Sequence, residues 1–491
     1  MIEGGVRFPY AFAKSQGVLL DGGGPGGAVL LVREGAALEA VAEARRMVGA
    51  PIQIAALKNP EYERRLAEVY SVANESAAAV ADDIGGDGDL SQLLQELPKT
   101  EDLLDEQIDA PIIRMINVIL TQALRAKASD VHIEPYEQHS VVRFRQDGAL
   151  REIISPRRAL HAAMVSRIKI MAGLDIAERR MPQDGRIALR LAGRPVDVRV
   201  SSLPTNHGER IVLRLLDKNP DHLKLDALGM DIAIRRRIDR LIQLPHGIFL
   251  VTGPTGSGKT TTLYSAIARL DSRAMNIMTV EDPVEYALDG IGQVQVNVRT
   301  DLTFSKALRA ILRQDPDVIM IGEIRDLETA QIAVQASLTG HLVLATLHTN
   351  DSVSAVTRLT DMGIEPFLLA SSLSGVLAQR LVRRLCRNCR EAHDVGRPEL
   401  DQFPELATTR QVFRARGCAE CGDTGYLGRV GIFEVLEVDA AIRNRIHDRA
   451  GEQVIRDAAG SDRLHTLRSD AIRWIAEGVT SIEEVLRVTR G

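Results

Sequence analysis

Strand-sized runs of apolar residues recur through the second half of the chain, separated by helical segments. Residues 248–251, 278–280 and 342–346 are runs of this kind. A strand that is buried on both faces has a continuous apolar run, and such runs alternating with helices are typical of a parallel sheet wrapped by helices. The pattern therefore predicts an α/β domain that spans residues 221–491.

The pattern changes in the preceding segment. An amphipathic helix at residues 112–126 leads into alternating apolar and polar segments at 141–145 and 196–200. Alternation of this kind predicts strands with one apolar and one polar face. We expect these elements to form a separate α/β domain over residues 106–220.

The beginning of the chain carries weaker signals. Residues 38–47 are rich in alanine and have helical character, and residues 1–80 are predicted to form a small α/β module. Glycine and acidic residues are concentrated in residues 81–105, a composition typical of a solvated linker. The sequence thus predicts three domains, with a linker after the first.

Composition narrows the class of protein. The 491 residues are 45% hydrophobic and 26% charged, which is typical of globular domains with real cores. A net charge of -5 and a pI near 6.2 give no general attraction for polyanions, and an aromatic share of 3% argues against base stacking on exposed rings. The amino terminus lacks the apolar stretch of a signal peptide, and the apolar runs are too short for membrane spans. We expect a soluble, cytoplasmic protein.

A glycine-rich loop supplies the strongest chemical signal. The segment GPTGSGKT, residues 253–260, directly follows the apolar run 248–251 and precedes a helical stretch at 261–270. This context is that of a P-loop, in which backbone N–H groups and the helix dipole hold phosphates. Lys259 is expected to bridge the β- and γ-phosphate oxygens of ATP, and the Thr260 hydroxyl to bind Mg²⁺. The alternative is a glycine turn before a helix.

The complete set of residues expected to contact the nucleotide includes the loop and one acidic residue. These residues are Gly253, Pro254, Thr255, Gly256, Ser257, Gly258, Lys259, Thr260, Thr261 and Asp282.

Titratable residues follow three other predicted strands. Glu323 comes after the run 317–321, Glu281 and Asp282 after 278–280, and His348 after 342–346. The carboxyl ends of parallel strands meet at one edge of a sheet, where α/β proteins bind ligands. We therefore expect one ligand crevice, with Glu323 polarising the attacking water. Helix capping or a surface charge remains the alternative for each residue.

Two cysteine pairs predict a metal site. Cys386 and Cys389 form one CxxC knuckle, Cys418 and Cys421 a second, and the chain has no other cysteine. Four thiolates at this spacing are typical of a closed, structural Zn²⁺ site, here in a lobe spanning residues 380–425. Reduced surface thiols are the alternative.

Arginines flank the first knuckle. They are Arg380, Arg383, Arg384, Arg387 and Arg390. A basic zinc lobe leaves open a motor of another class, which binds or translocates DNA.

Several segments together resemble a known family. MTVEDPVEY (278–286), ALRAILRQDPDVIMIGEIRD (307–326) and TGHLVLATLHTND (339–351) resemble the secretion ATPase superfamily. In the middle domain, ASDVHIEPYE (128–137), VVRFRQDGALRE (141–152), RMPQDGRIALR (180–190) and GERIVLRLLD (208–217) resemble the type II secretion ATPases known as GspE. Type IV pilus assembly ATPases, known as PilB, are close relatives. The resemblance covers residues 105–491, and PYAFAKSQGVLL resembles the start of some amino-terminal domains of the family.

The resemblance implies an ATP-hydrolysing homo-hexamer with a RecA-like ATPase domain and a preceding PAS-like domain. Such a motor drives pseudopilus assembly and protein export through a type II secretion system, or pilus assembly in the alternative reading. It would attach peripherally to the inner membrane through the cytoplasmic domain of an anchor protein, docked by residues 1–80, and through a platform membrane protein. Acidic phospholipid is a further expected partner, and no nucleic acid is expected.

The resemblance also implies roles for individual residues. Glu281 and Asp282 match the Asp box of the family, Glu323 its Walker B motif and His348 its His box. Four arginines match positions that face the phosphates: Arg199, Arg214, Arg309 and Arg313. The first two lie in alternating segments, on the predicted polar face, and are expected to reach the γ-phosphate. A surface ion pair is the alternative for each arginine.

Overall fold

The structure is a computed structural model. It describes residues 8, 12–13, 16–24, 27–48, 52–62, 64–66, 109–191, 194–217, 225–297, 300–409 and 411–489. The predicted linker at 81–105 lies outside the described residues. The chain divides into two compact units, Met1–Lys218 and Asn219–Gly491. Among the described residues, every helix is too short or too polar to span a lipid bilayer.

The first module is a small α/β structure, as the sequence predicts. Three described strands, β1 (Val18–Gly24), β2 (Gly27–Arg33) and β3 (Gln53–Leu57), form a sheet in which β1 and β2 are antiparallel and β2 and β3 are parallel. The helix Leu38–Val48 connects the parallel pair, and its Ala44 packs with β1 residues in a small core.

The middle domain is built on an antiparallel sheet. Its described strands are β4 Asp130–Pro135, β5 Ser140–Gln146, β6 Ala149–Ile154, β7 Gln183–Leu191, β8 Arg194–Thr205 and β9 Gly208–Asp217. They lie in the order β6-β5-β4-β9-β8-β7. The helices Asp109–Arg125 and Arg158–Met171 share one apolar core with the sheet, because every second strand residue is apolar.

The second unit, Asn219–Gly491, holds the predicted ATPase domain and is called the ATPase unit. It contains the predicted parallel sheet. Its described strands are β10 Gly247–Thr252, β11 Ile277–Glu281, β12 Gly292–Gln295, β13 Val318–Ile321, β14 Leu342–Leu347, β15 Leu373–Leu385 and β18 Tyr426–Glu437. They lie in the order β12-β11-β13-β14-β10-β15-β18, and all neighbours are parallel except β15 and β18. Strands β16 (Glu391–Asp394) and β17 (Gln411–Arg414) form a separate pair.

Helices cover both faces of this sheet. They are Ile232–Ile242, Lys259–Ile267, Phe304–Ile311, Leu327–Leu338, Ser354–Asp361, Pro366–Ser372, Ala440–His447 and Glu452–Arg463. The helices Arg397–Gln402, Leu467–Ala476 and Ile482–Thr489 pack in another core, with residues of β15 and β18. Along β10, Ile248 and Leu250 face one apolar core, whereas Phe249 and Val251 face the other. Burial on both faces explains why this strand is a continuous apolar run in the sequence.

Candidate functional site

The glycine-rich loop joins strand β10 to the helix Lys259–Ile267, in the order that the sequence predicts. Gly253 has φ 149°, and a Cβ there would approach the backbone oxygen of Gln379 to 2.5 Å. Gly258 has φ 90°, and a Cβ there would approach Nε2 of Gln379 to 2.8 Å. Both positions therefore require glycine, for backbone conformation and for space.

Lys259 folds back over this loop. Its side chain is largely buried, and Nζ donates to the backbone oxygens of Gly253 (2.8 Å) and Pro254 (3.1 Å). Burial lowers the pKa of Lys259 to about 8, although the charge of Glu323 opposes the shift. The Oγ of Ser257 is buried and has no hydrogen-bond partner among the described residues, and Thr260 is exposed. The loop therefore presents a cation and unused polar groups to a phosphate ligand.

Glu323 and His348 meet at the carboxyl ends of the neighbouring strands β13 and β14. Nε2 of His348 lies 3.5 Å from a carboxylate oxygen of Glu323, and Arg325 forms an ion pair with the same carboxylate. Burial, and then the charge of Lys259, lowers the pKa of His348, so its imidazole is uncharged at neutral pH. The structure thus brings Lys259, Glu323 and His348 to one edge of the sheet, with Arg325 added.

The two acidic residues of the Asp box differ in environment. Asp282 is exposed, and its charge, after that of Glu323, raises the pKa of Arg325. Glu281 is 2% exposed, and its carboxylate accepts hydrogen bonds from the Tyr264 hydroxyl, from Thr279 Oγ1 (2.5 Å) and from Gln293 Nε2 (3.1 Å). The Glu281 carboxylate is therefore held inside the protein, and its catalytic role stays a prediction.

The arginines of the ATPase unit have other partners. Arg309 forms an ion pair with Glu328 at 2.6 Å, and Nη1 of Arg313 donates to the backbone oxygen of Arg309. Within the described residues, no hydrogen bond or ion pair joins either arginine to Lys259 or Glu323.

The arginines of the middle domain lie in the first compact unit. Arg199 and Arg214 are directly opposite each other in β8 and β9, so they share one face of the sheet. Nε of Arg214 donates to Asp130 at 2.8 Å. The apolar residues of these two strands lie on the opposite face of the sheet and pack in the core of the domain, as the alternation predicts. Their proposed role toward ATP stays a prediction.

The structure adds residues that the sequence patterns did not single out. Arg325 pairs with the half-buried carboxylate of Glu323, and Tyr264 donates to the buried carboxylate of Glu281. Gln379 lies against the glycine loop. The sequence grouped Arg380 with the zinc knuckle, but its guanidinium donates to the backbone and side-chain oxygens of Asn350, at 2.8 and 3.1 Å, in the loop after β14. Arg380 therefore belongs to the edge of the sheet that carries the glycine loop.

The four cysteines form one cluster. The sulfur atoms of Cys386, Cys389, Cys418 and Cys421 all lie within 4.8 Å of one another, and three of the pairs are 3.9, 3.8 and 3.7 Å apart. Tetrahedral Zn–S bonds of about 2.3 Å require sulfur atoms about 3.8 Å apart, whereas a disulfide requires about 2.05 Å. The thiol cluster therefore fits a closed zinc site.

The lobe around this cluster has apolar support as well. Phe403, Leu406 and Val412 share a core with Ile475 and Val485 of the last two helices. Packing against these helices therefore contributes to the fold of the lobe, in addition to the proposed metal.

Comparison with known proteins identifies similar chains. A family model described as type II/IV secretion system protein matches residues 105–487, and one that describes an amino-terminal domain of GSPII protein E matches residues 7–70. The chain is 60% identical over 482 residues to the type II secretion system protein HxcR of Pseudomonas aeruginosa, covering 98% of this chain and 99% of that protein. It is 52% identical over 487 residues to the type II secretion system ATPase E of Vibrio cholerae, covering 99% and 97%.

Solved structures agree on the fold. The ADP-bound pilus retraction motor PilT is 25% identical, with a TM-score of 0.54, over 77% of this chain and 97% of that one. The ATPase DotB of Legionella pneumophila has a TM-score of 0.57 at 21% identity, over 76% of this chain and 95% of that one.

Proposed function

The chain belongs to the type II/IV secretion system protein family, and from that premise we propose that it is the ATPase motor of a type II secretion system. It is an ATP hydrolase of the P-loop class. In the proposal, hydrolysis drives pseudopilus assembly and, through it, protein export.

One observation carries the catalytic part of the proposal. Three parallel strands that are neighbours in the sheet, β13, β14 and β10, end in Glu323, His348 and the loop that carries Lys259. A nucleotide phosphate held by the loop would therefore have a cation on one side and a carboxylate with a neutral imidazole on the other. This arrangement suits phosphoryl transfer to water, which depends mainly on positioning and charge stabilisation.

The proposed reaction follows from these positions. ATP phosphates would replace the backbone oxygens that Nζ of Lys259 contacts, and the Thr260 hydroxyl would bind the Mg²⁺ that accompanies ATP. Glu323 would orient a water molecule and accept its proton as the water oxygen bonds to the γ-phosphorus and the bond to ADP breaks. His348 would hydrogen bond to Glu323, and Arg325 would fix the orientation of that carboxylate.

The cysteine cluster is proposed to hold one structural Zn²⁺. Four cysteine ligands leave no open coordination position, so the metal would stabilise the lobe and take no part in hydrolysis.

The proposed partners follow from family membership. They are five further copies of the chain in a hexamer, the cytoplasmic domain of an inner-membrane anchor protein, a platform membrane protein and acidic phospholipid. The match of residues 7–70 to an amino-terminal domain model supports a docking role for that module. Assembly of a type IV pilus is the second candidate, favoured by the fold shared with the pilus retraction motor PilT, but the relatives of highest identity given above carry type II secretion names.

Two substitutions test the catalytic proposal. Lys259→Ala is expected to abolish binding of a fluorescent ATP analogue, because the loop loses the cation that neutralises the phosphates. Glu323→Gln is expected to bind the analogue normally and to release phosphate at least about a hundredfold more slowly, because the water loses its base. Glu365→Gln, which removes an exposed carboxylate paired with Arg449, is the matched control.

The same proteins test the biological proposal. In a bacterium that lacks its own type II secretion ATPase, the wild type should restore export and Glu323→Gln should not. Normal phosphate release by Glu323→Gln would remove this residue from its proposed role, and rescue of piliation in place of export would favour the second candidate.

A further inference from the structure

Strand β15 continues past the sheet edge beside the glycine loop. It runs parallel to β10, with Ala378 opposite Thr252, the last residue of β10 before the loop. The next residue, Gln379, therefore lies level with the loop. It is close to Thr262, in the first turn of the helix after the loop, although the two residues are 117 positions apart in the sequence. Only 2% of Gln379 is exposed.

Gln379 approaches the loop at two glycines and contacts the following helix at Thr262. Its side-chain Oε1 accepts a hydrogen bond of 2.6 Å from the Thr262 hydroxyl. Its backbone oxygen and its Nε2 are the atoms that leave no room for a Cβ at Gly253 and at Gly258. Gly253 and Gly258 lie near the two ends of the loop, before Lys259 in the sequence, and Thr262 lies after it.

The amide of Gln379 has a defined direction. Because Thr262 occupies Oε1, the NH₂ group is turned toward Gly258. Because Thr262 holds the amide and only 2% of Gln379 is exposed, the side chain has a fixed position beside the phosphate-binding loop.

We propose that Gln379, anchored by Thr262, is a positioning residue of the glycine loop and sets the loop conformation that receives nucleotide phosphates. This inference rests on the proposed function. Gln379 acts through the loop that binds the nucleotide. In the proposed function, Glu323 and His348 act instead on the attacking water. Gln379 and Thr262 should therefore govern the affinity for ATP and ADP and leave turnover at saturating ATP nearly unchanged.

The experiment compares variants of the full chain in its assembled state. Thr262→Val and Gln379→Met each remove the hydrogen bond while keeping the size of the side chain. Each is expected to weaken the Kd of a fluorescent ADP analogue and the KM for ATP about tenfold, the worth of roughly one hydrogen bond, with kcat within about twofold of wild type. Because the two residues act as one unit, the double variant should bind ADP with the same affinity as either single variant. Thr262→Ser keeps the hydroxyl and should restore the affinity.

A matched control separates positioning from general stability. Thr480 is also fully buried in this unit, and its hydroxyl donates to the backbone oxygen of Arg383 at 2.7 Å. Thr480→Val should lower the unfolding temperature about as much as Thr262→Val does and leave the Kd for ADP unchanged.

The outcomes distinguish the inference from the proposed function. Wild-type affinity in Thr262→Val and Gln379→Met, or additive losses in the double variant, would overturn the positioning role while Lys259→Ala still abolishes binding. If Gln379→Met does not fold, the comparison of Thr262→Val with Thr262→Ser decides the question. Nucleotide binding that survives Lys259→Ala would instead refute the proposed function itself.

Discussion

Tyr264→Phe removes one oxygen atom from the interior of the ATPase unit. Tyr264 is fully buried, and its hydroxyl donates to the Glu281 carboxylate. The same oxygen accepts from the backbone nitrogens of Glu285 (3.2 Å) and Tyr286 (3.4 Å). Burial, together with the hydrogen bond to Glu281, raises the pKa of Tyr264 well above its usual range, so the donated proton is present at all ordinary pH values.

The cost of the substitution can be worked out from these contacts. A hydrogen bond to a charged acceptor contributes about 1.5 to 3 kcal/mol, and two backbone N–H groups also lose a long, weak acceptor. The variant should therefore lose about 3 kcal/mol of unfolding free energy. For a unit as large as Asn219–Gly491 this corresponds to a fall of about 5 °C in unfolding temperature.

Calorimetry of the full chain measures this shift. The transition of the ATPase unit is recognised because ADP raises its temperature. Tyr426→Phe is the control, since the Tyr426 hydroxyl shares one neutral hydrogen bond of 2.8 Å with Ser481 and its loss should cost only about 1 kcal/mol. A shift for Tyr264→Phe no larger than that of Tyr426→Phe would refute the reasoning. Glu281 would then be free of Tyr264 and available to the catalytic site.

Three further predictions concern the metal, the pH dependence and the middle domain. Metal analysis should find about one zinc per chain, and Cys389→Ser should lose it and destabilise the lobe; freshly reduced wild-type protein without zinc would contradict the site. ATP affinity should be steady below about pH 7 and fall up to about tenfold per pH unit above pH 8, because burial lowers the pKa of Lys259 to about 8 and phosphates bind its charged form; a flat titration to pH 9.5 would contradict this. The same lowered pKa means that the folded unit gains stability as pH rises from about 8 toward 10.4, where the unfolded lysine still carries its proton. Arg199→Ala and Arg214→Ala should each reduce turnover at least about tenfold in the proposed hexamer, measured with acidic phospholipid present, and normal turnover in both would make these arginines structural.

The sequence predicted the core of the ATPase unit well because burial on both faces produces continuous apolar runs. The runs 248–251, 278–280 and 342–346 correspond to β10, β11 and β14 within one residue at each end. The position of the loop between a strand and a helix could also be predicted from local sequence, because the strand, the spaced glycines and the helix follow one another along the chain.

The contacts that surround the loop could not be predicted in this way. They depend on which strands are neighbours, and the sequence does not state that β15 lies beside β10. Gln379 therefore carried no signal, and Arg380 was assigned to the zinc knuckle because Cys386 is close in sequence. The place of Glu281 at a strand end predicts that it lies in the ligand crevice, and this stays a prediction. The hydrogen bonds of its carboxylate with Tyr264, Thr279 and Gln293 could not be predicted from the strand pattern, because two of these partners lie outside β11.

Strand β15 is 13 residues long, from Leu373, opposite Ile248 of β10, to Leu385, the residue before Cys386, and it passes the glycine loop at Gln379. Its pairing with β18 extends over most of that length, from Gly375 to Leu385. The stretch from Gln379 to Leu385 spans about 20 Å at roughly 3.3 Å per residue, without a loop that could act as a hinge. The backbone amides from Gln379 to Leu385 should consequently exchange with deuterium as one cooperative block. ADP bound beside Gln379 should therefore slow exchange next to the cysteines.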